Sequence, residues 1–186
     1  MMRKELSETV ADIAGRPVTT IENGLIPKLQ AAGLVPGLKG AGEVDASYRV
    51  NVLLAALLDR QHGVSPAEAV KKWRALRPVN PENSIAQEYG IRTENAGAAL
   101  DSILDTLKTW PDRSSPILRA RAGADGNIHV AAEFHGDDCL VLAFYNIAGR
   151  SKGNLTFGSP LVEDDAGRAT RIVRLLHPAF ERLAMP

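Results

Sequence analysis

The chain of 186 residues holds a single cysteine. Cys139 sits in an apolar stretch without a partner, which excludes an internal disulfide and a cysteine-rich zinc site; it reads as a small buried hydrophobe. Long apolar runs are missing as well. VLLAALL (Val52 to Leu58) and CLVLAFY (Cys139 to Tyr145) fall far short of the roughly 20 residues needed to cross a bilayer, so no membrane span is expected. The opening MMRKELSETV carries positive charge with no apolar region behind it. It therefore does not read as a secretory signal, and a cytoplasmic location is expected. Net charge is also lacking, 22 Lys and Arg standing against 22 Asp and Glu, which argues against a chain wholly devoted to nucleic acid. There is no Gly-x-Ser-x-Gly elbow, no Gly-x-x-x-x-Gly-Lys phosphate loop and no Cys-x-x-Cys pair. The commonest motif-bearing reactions have nothing to stand on, so no enzyme and no cofactor are expected.

What is present is a foldable sequence, 45% hydrophobic, long enough for one domain or two small ones. Its charge is unevenly placed. Met1 to Val79 carries 11 Lys and Arg against 8 Asp and Glu, a net +3, and the remainder carries 11 against 14, a net −3. The front half is the one suited to phosphates.

The periodicity predicts a first helix over Arg3–Ala14, with Leu6, Val10, Ile13 and Ala14 on one stripe and Gly15 ending it. Arg16-Pro17 makes a turn, and a second helix starts at Thr19 or Thr20 as N-cap and stops at Gly33. The glycine-rich PGLKGAGEVDA is a loop or short hairpin; SYRVNVLLAALLDRQHG, apolar on nearly every side, is a buried helix. Ser65-Pro66-Ala67-Glu68 is a capping box opening a helix with Val70, Trp73 and Leu76 on one face. RPVNPENS, with two prolines, is the candidate linker. A short helix to Tyr89 follows, then an amphipathic helix from an N-cap at Thr93 to about Trp110. Beyond Pro111 the runs ILRARA, NIHVAAEFH and CLVLAFYN are strand-like and split by turn sequences; RATRIVRLL is a fourth strand and HPAFERLA a closing helix. The expected architecture is α+β, divided into a helical, winged-helix-like unit over 1–79, a linker and amphipathic helix over 80–110, and an antiparallel sheet region with a short C-terminal helix over 111–186.

The second helix carries the functional signal. At about 100° per residue, Ile21, Leu25, Leu29 and Ala32 gather on one side, and Thr19, Thr20, Asn23, Pro27 and Gln30 lie opposite. These outer residues are uncharged and mostly able to donate and accept hydrogen bonds, the chemistry that reads base edges in a major groove. Pro27, on the outer face, either bends the helix around its core with Gly24 giving slack, or breaks it into two pieces.

The order helix, Gly turn, helix beginning in Thr-Thr, then LQAAGLV and a glycine-rich loop resembles the winged helix-turn-helix family of bacterial repressors, through Gly15, Thr20, Ile21, Leu29, Gly33, Leu34 and Val35. The likeness covers about a third of the chain, and LLAALLDRQHGVSPAEAVKKW is similar to the helices that follow the wing in metal- and drug-responsive regulators. It implies a second helix in the major groove, with Thr19, Thr20, Asn23 and Gln30 toward bases. The wing would be Pro36 to Val44, with Arg16, Lys28, Lys39 and Arg49 on phosphates. Gly24 and Pro27 in the recognition helix, and its lack of arginine, depart from the family pattern. The implied function is transcription control on double-stranded DNA, with the C-terminal region serving assembly, an effector or a protein partner. A viral DNA-packaging recognition subunit, of the small-terminase kind, resembles the same plan, and an interaction module that never meets DNA is the reading from another class. So few charges imply more than one copy on DNA, and the apolar faces of Val52 to Leu58 and of Val70, Trp73 and Leu76 suggest a homodimer at least. His129, Glu133 and His135 share one side of a strand, where neighbouring ones could offer two ligands to a metal; two are too few, and a third would have to come from Asp137, Asp138 or His177, so a polar outer face is expected. Asp137-Asp138 and Asp164-Asp165 read as solvated turns.

Overall fold

The computed structural model describes residues 1–37, 43–58, 64–80, 82–109, 128–136, 138–146, 149–159 and 172–184. Helix α1 (Arg3–Ala14) buries Leu6, Ser7, Val10 and Ala11 and closes on Gly15, where the Arg16 N–H returns to the Ala11 carbonyl at 2.8 Å. The second helix opens two to three residues earlier than the threonines suggested: Pro17 is the N-cap, and its preset φ of −61° starts a short α segment, α2 (Val18–Thr20). A π-helical turn (Ile21–Leu25) and α3 (Ile26–Ala31) continue it without interruption. The chain then runs through α4 (Ala46–Leu58), α5 (Pro66–Arg74), α6 (Ser84–Tyr89) and α7 (Ala96–Thr109), and on to strands β1 (Ile128–His135), β2 (Cys139–Asn146), β3 (Ser151–Gly158) and β4 (Ile172–Leu175). Helix α8 (His177–Ala184) closes it. This is the expected α+β plan, with seven helical segments among the described residues ahead of a four-stranded antiparallel sheet.

Capping chemistry sets several of these boundaries. Ser65 Oγ accepts from the Glu68 N–H at 3.2 Å while Glu68 Oε2 accepts from the Ser65 N–H at 3.1 Å, the reciprocal pair written in the sequence. Helix α7 is capped by Asn95 rather than Thr93: the Asn95 carboxamide oxygen takes the Ala98 N–H at 2.9 Å, and a short Asx side chain does this better than a β-branched threonine two residues too early.

The sheet has the order β3-β2-β1-β4, a three-strand meander with β4 added beside β1. Val130, Ala132 and Phe134 of β1 stand opposite Phe144, Leu142 and Leu140 of β2, so one face is apolar throughout and meets the helices. Trp73 of α5 packs edge-on against Phe134 with ring centroids 5.2 Å apart. Helices and sheet thus share one core cluster, from Leu6 through Trp73 to Leu183. The division at 79/80 does not separate two cores, and RPVNPENS is no loose linker. The Val79 N–H donates to the Thr156 carbonyl, the Gly158 N–H to that of Arg77, both at 2.8 Å, and Asn83 Nδ2 donates to the Asn154 carbonyl at 2.9 Å, stitching the segment along the edge of β3.

Strand β3 has no strand signal in SKGNLTFG, where Leu155 and Phe157 are the buried apolar residues. Pairing with β2 overrides its weak propensity, and glycine is needed at 153 because its φ of 142° is one that residues with a side chain rarely adopt. The strand expected at ILRARA lies outside the described residues.

The apolar surface that suggested a dimer is covered within one chain. Helix α4 packs against α1, α5 and α7, leaving Val52 to Ala56 and Leu58 buried and Leu57 partly so; Val70 and Trp73 are also buried, and Leu76 lies against the core. The core places no demand for a second copy. Among the described residues no helix is long and apolar enough to cross a membrane.

Where α8 meets β1, two imidazoles stack. The His129 and His177 rings lie 4.4 Å apart at 8°, the Val130 N–H donates to His177 Nδ1 at 3.2 Å, and His177 Nε2 stands 3.2 Å from Glu181 Oε1. An Nδ1 that accepts from a backbone amide must be unprotonated. Burial pushes the His177 pKa below its ordinary value, Glu181 pulling the other way and the His129 ring adding to the depression. A histidine with a lowered folded pKa favours folding above the unfolded value of about 6.5, and that contribution is lost as pH falls through 6.5 toward the folded pKa. Melting midpoints of the wild type should therefore drop more steeply between about pH 7 and pH 5 than those of His177→Asn, whose amide oxygen can still accept from Val130. Parallel profiles would show that this ring does not titrate in that window.

Candidate nucleic-acid interface

The helix over Val18–Ala31 owes its shape to Pro27. In an α-helix a proline ring presses on the carbonyl four residues back and cannot donate to it. Here the turn ahead of it is widened by one residue, so that the Ile26 N–H bonds to the Ile21 carbonyl, five residues back. The helix neither breaks nor merely bends: it is continuous, with an inserted residue.

That insertion rotates everything after it by about 100° relative to the ideal wheel. The core stripe becomes Ile21, Leu25, Ile26 and Leu29, all buried, where the wheel had placed Ile26 off the stripe and Ala32 on it. Gln30 is carried away from the outer face. It is half-buried, and its Nε2 donates to the Pro36 carbonyl at 3.3 Å, fastening the start of the following loop. In exchange, Lys28 and Ala31 come out beside Pro27. Thr19, Asn23, Pro27 and Lys28 are exposed, and Thr20 and Arg16 are half-buried at the inner edge and at the turn. The outer face therefore keeps two uncharged polar side chains, Thr19 and Asn23, and gains a cation.

The far end of this helix is held firmly. The Leu34 N–H returns to the Leu29 carbonyl at 2.9 Å across Gly33, Asn51 Nδ2 donates to the Leu34 carbonyl at 2.6 Å, and Val35 is buried. Of the expected wing, residues 38–42, Lys39 among them, lie outside the described residues. Among the described residues that follow, Glu43 forms an antiparallel bridge with Met2, and the Val44 N–H donates to the Met1 carbonyl at 3.2 Å.

Arg49 is not a phosphate contact. Its guanidinium is buried, donating to the carbonyls of Val44 (3.1 Å), Leu183 (2.8 Å) and Ala184 (3.2 Å), with Glu43 at 3.8 Å. The sequence set it among the phosphate contacts, whereas the last turn of α8 covers it and uses it to satisfy orphan carbonyls at the negative end of that helix. Sequence reasoning also passed over Lys71 and Lys72, exposed on α5; the signal was the doubled lysine facing away from Val70 and Trp73. His129, Glu133 and His135 have protein partners, His129 on His177 and Glu133 with Arg174 at 2.7 Å and His135 at 3.3 Å.

Comparison with protein-family models, with curated proteins and with solved structures returns no match to the chain. The functional reading therefore rests on this chain's own residues.

Proposed function

We propose that the chain is a DNA-binding protein of transcription control that presents the outer face of the Val18–Ala31 helix to the major groove. The observation that carries the reading is that face itself: Thr19 and Asn23 exposed and uncharged, on a helix whose opposite side is buried and whose far end is fixed by Asn51. A merely solvated helix gains from mixed Lys and Glu; a base-reading one needs short donors and acceptors held in register. Half-buried Arg16 at the turn and Lys28 on the outer face supply phosphate contacts that orient it. Two copies on one site are part of the proposal because a handful of cations gives weak binding at physiological salt, and the C-terminal sheet is the region left for assembly, an effector or a protein partner.

The test titrates a selected duplex with the wild type and with Thr19→Ala/Asn23→Ala. Both residues are exposed, so melting should hold, while specific affinity falls by about 1–3 kcal/mol for each good bidentate pairing with a base that the alanines remove. Non-specific affinity should change little. Equal specific affinity of the two proteins refutes base reading by this helix. Gln30 is left in place because alanine there would also loosen the Pro36 loop.

A further inference from the structure

The interface proposed above is flanked by a second helix that carries charge. On α5, Pro66, Ala69, Val70 and Trp73 are buried and mark the core side. Arg74 forks onto Asp101 of α7, with Nη1–Oδ1 3.0 Å and Nη2–Oδ2 2.6 Å, and its side chain lies over Gly97, so that flank of α5 is covered by α7. Lys72 stands about 200° around the helix from Arg74, on the opposite flank, and α5 also packs against α3. Lys71 and Lys72 are both exposed, as is Lys28 on α3. Glu68, one turn before Lys71 and Lys72 on the same helix, is held by the Ser65 cap, and its carboxylate is also drawn toward Lys71. Arg74, by contrast, is already neutralised by Asp101.

We infer that Lys28, Lys71 and Lys72 form one basic ridge alongside the outer face of α3, and that the ridge takes the phosphates of the same duplex whose bases face Thr19 and Asn23. The inference rests on the DNA-binding reading and adds to it a positioning surface outside the helix-turn-helix. The ridge replaces the phosphate interactions that buried Arg49 cannot make, and its lysines act as mobile point charges, suited to a sequence-independent backbone.

The experiment measures binding to a short duplex of mixed sequence at several salt concentrations for wild type, Lys71→Gln/Lys72→Gln, Lys72→Gln alone, and Lys71→Arg/Lys72→Arg. Exposure of both side chains means that the melting midpoint should hold in each, and the single variant serves if the double one fails to fold. The expected result is a fall in the slope of log affinity against log salt of roughly 1.8 for the double glutamine variant, about 0.9 for each phosphate no longer neutralised, the same for every sequence, with the slope restored by arginine. Wild-type binding with an unchanged slope in the glutamine variants would overturn the ridge and leave the base-reading helix standing. Absence of any wild-type binding to duplex DNA would overturn both.

Discussion

Replacing Trp73 with alanine is expected to lower the unfolding free energy by about 3–5 kcal/mol, the usual result of emptying a core aromatic site. Against the ordinary stability of a domain, about 5–15 kcal/mol, that is a large share. Trp73 is 1% exposed and is among the largest fully buried side chains. It also packs edge-on against Phe134 of the sheet. Its removal therefore takes packing from both halves of the molecule, and backbone segments on either side cannot collapse into the space without leaving their own partners. A Trp73→Ala/Phe134→Ala cycle should return a coupling of about 0.5–1.5 kcal/mol beyond the separate losses. Because the helices and sheet share one core, helical and strand signals in circular dichroism should be lost at one midpoint in the wild type. Two separated midpoints would restore the division into independent units.

Arg49→Ala is the second large effect, expected at about 3–5 kcal/mol because three backbone carbonyls lose their donor. The guanidinium holds three carbonyls from two distant parts of the chain, Val44 ahead of α4 and Leu183 and Ala184 at the end of α8. Burial pulls its pKa down, and the carboxylates of Glu43, Asp105 and Asp45 hold it up. Alanine would leave those buried acceptors unsatisfied, and each such group costs roughly 1–3 kcal/mol. Lysine keeps the charge without the planar fork, so Arg49→Lys should fall between wild type and alanine. Glu43→Gln should cost little, since the Glu43 side chain is 58% exposed and surface pairs contribute about 0–1 kcal/mol. Denaturant unfolding measures all three, and hydrogen exchange should show α8 as the first element to lose protection in Arg49→Ala. An alanine variant as stable as the glutamine one would mean that solvent replaces the guanidinium at those carbonyls.

How far these features were legible depends on whether they are local. Gly15 after Ala14, the Ser65 to Glu68 box and the strand-like run NIHVAAEFH are decided within a few residues, and each stands where the sequence placed it. Strand β3 and the Arg77 to Asn83 stretch take their structure from each other and from β2, so no local window contained it. At the candidate interface Thr19 and Asn23 were legible from a helical wheel, whereas Lys28, which the wheel sets beside Ile21, reaches the surface only through the inserted residue. Gln30 was not legible either, because the π turn before Pro27 shifts the wheel by one residue, and composition does not say whether a proline is met by a break, a bend or an insertion. Arg49 was misplaced for a longer-range reason: its partners, Leu183 and Ala184, lie more than 130 residues away. A lone arginine on an apolar helix carries no mark of whether phosphate or a helix end will meet it.

The most direct measurement is a selection of genomic DNA fragments by the intact wild-type chain, with sequencing of what is retained. A base-reading helix predicts one enriched sequence, retained by wild type and lost by Thr19→Ala/Asn23→Ala while the variant still folds. Recovery of fragments with no common sequence, or the same enrichment from both proteins, would contradict it.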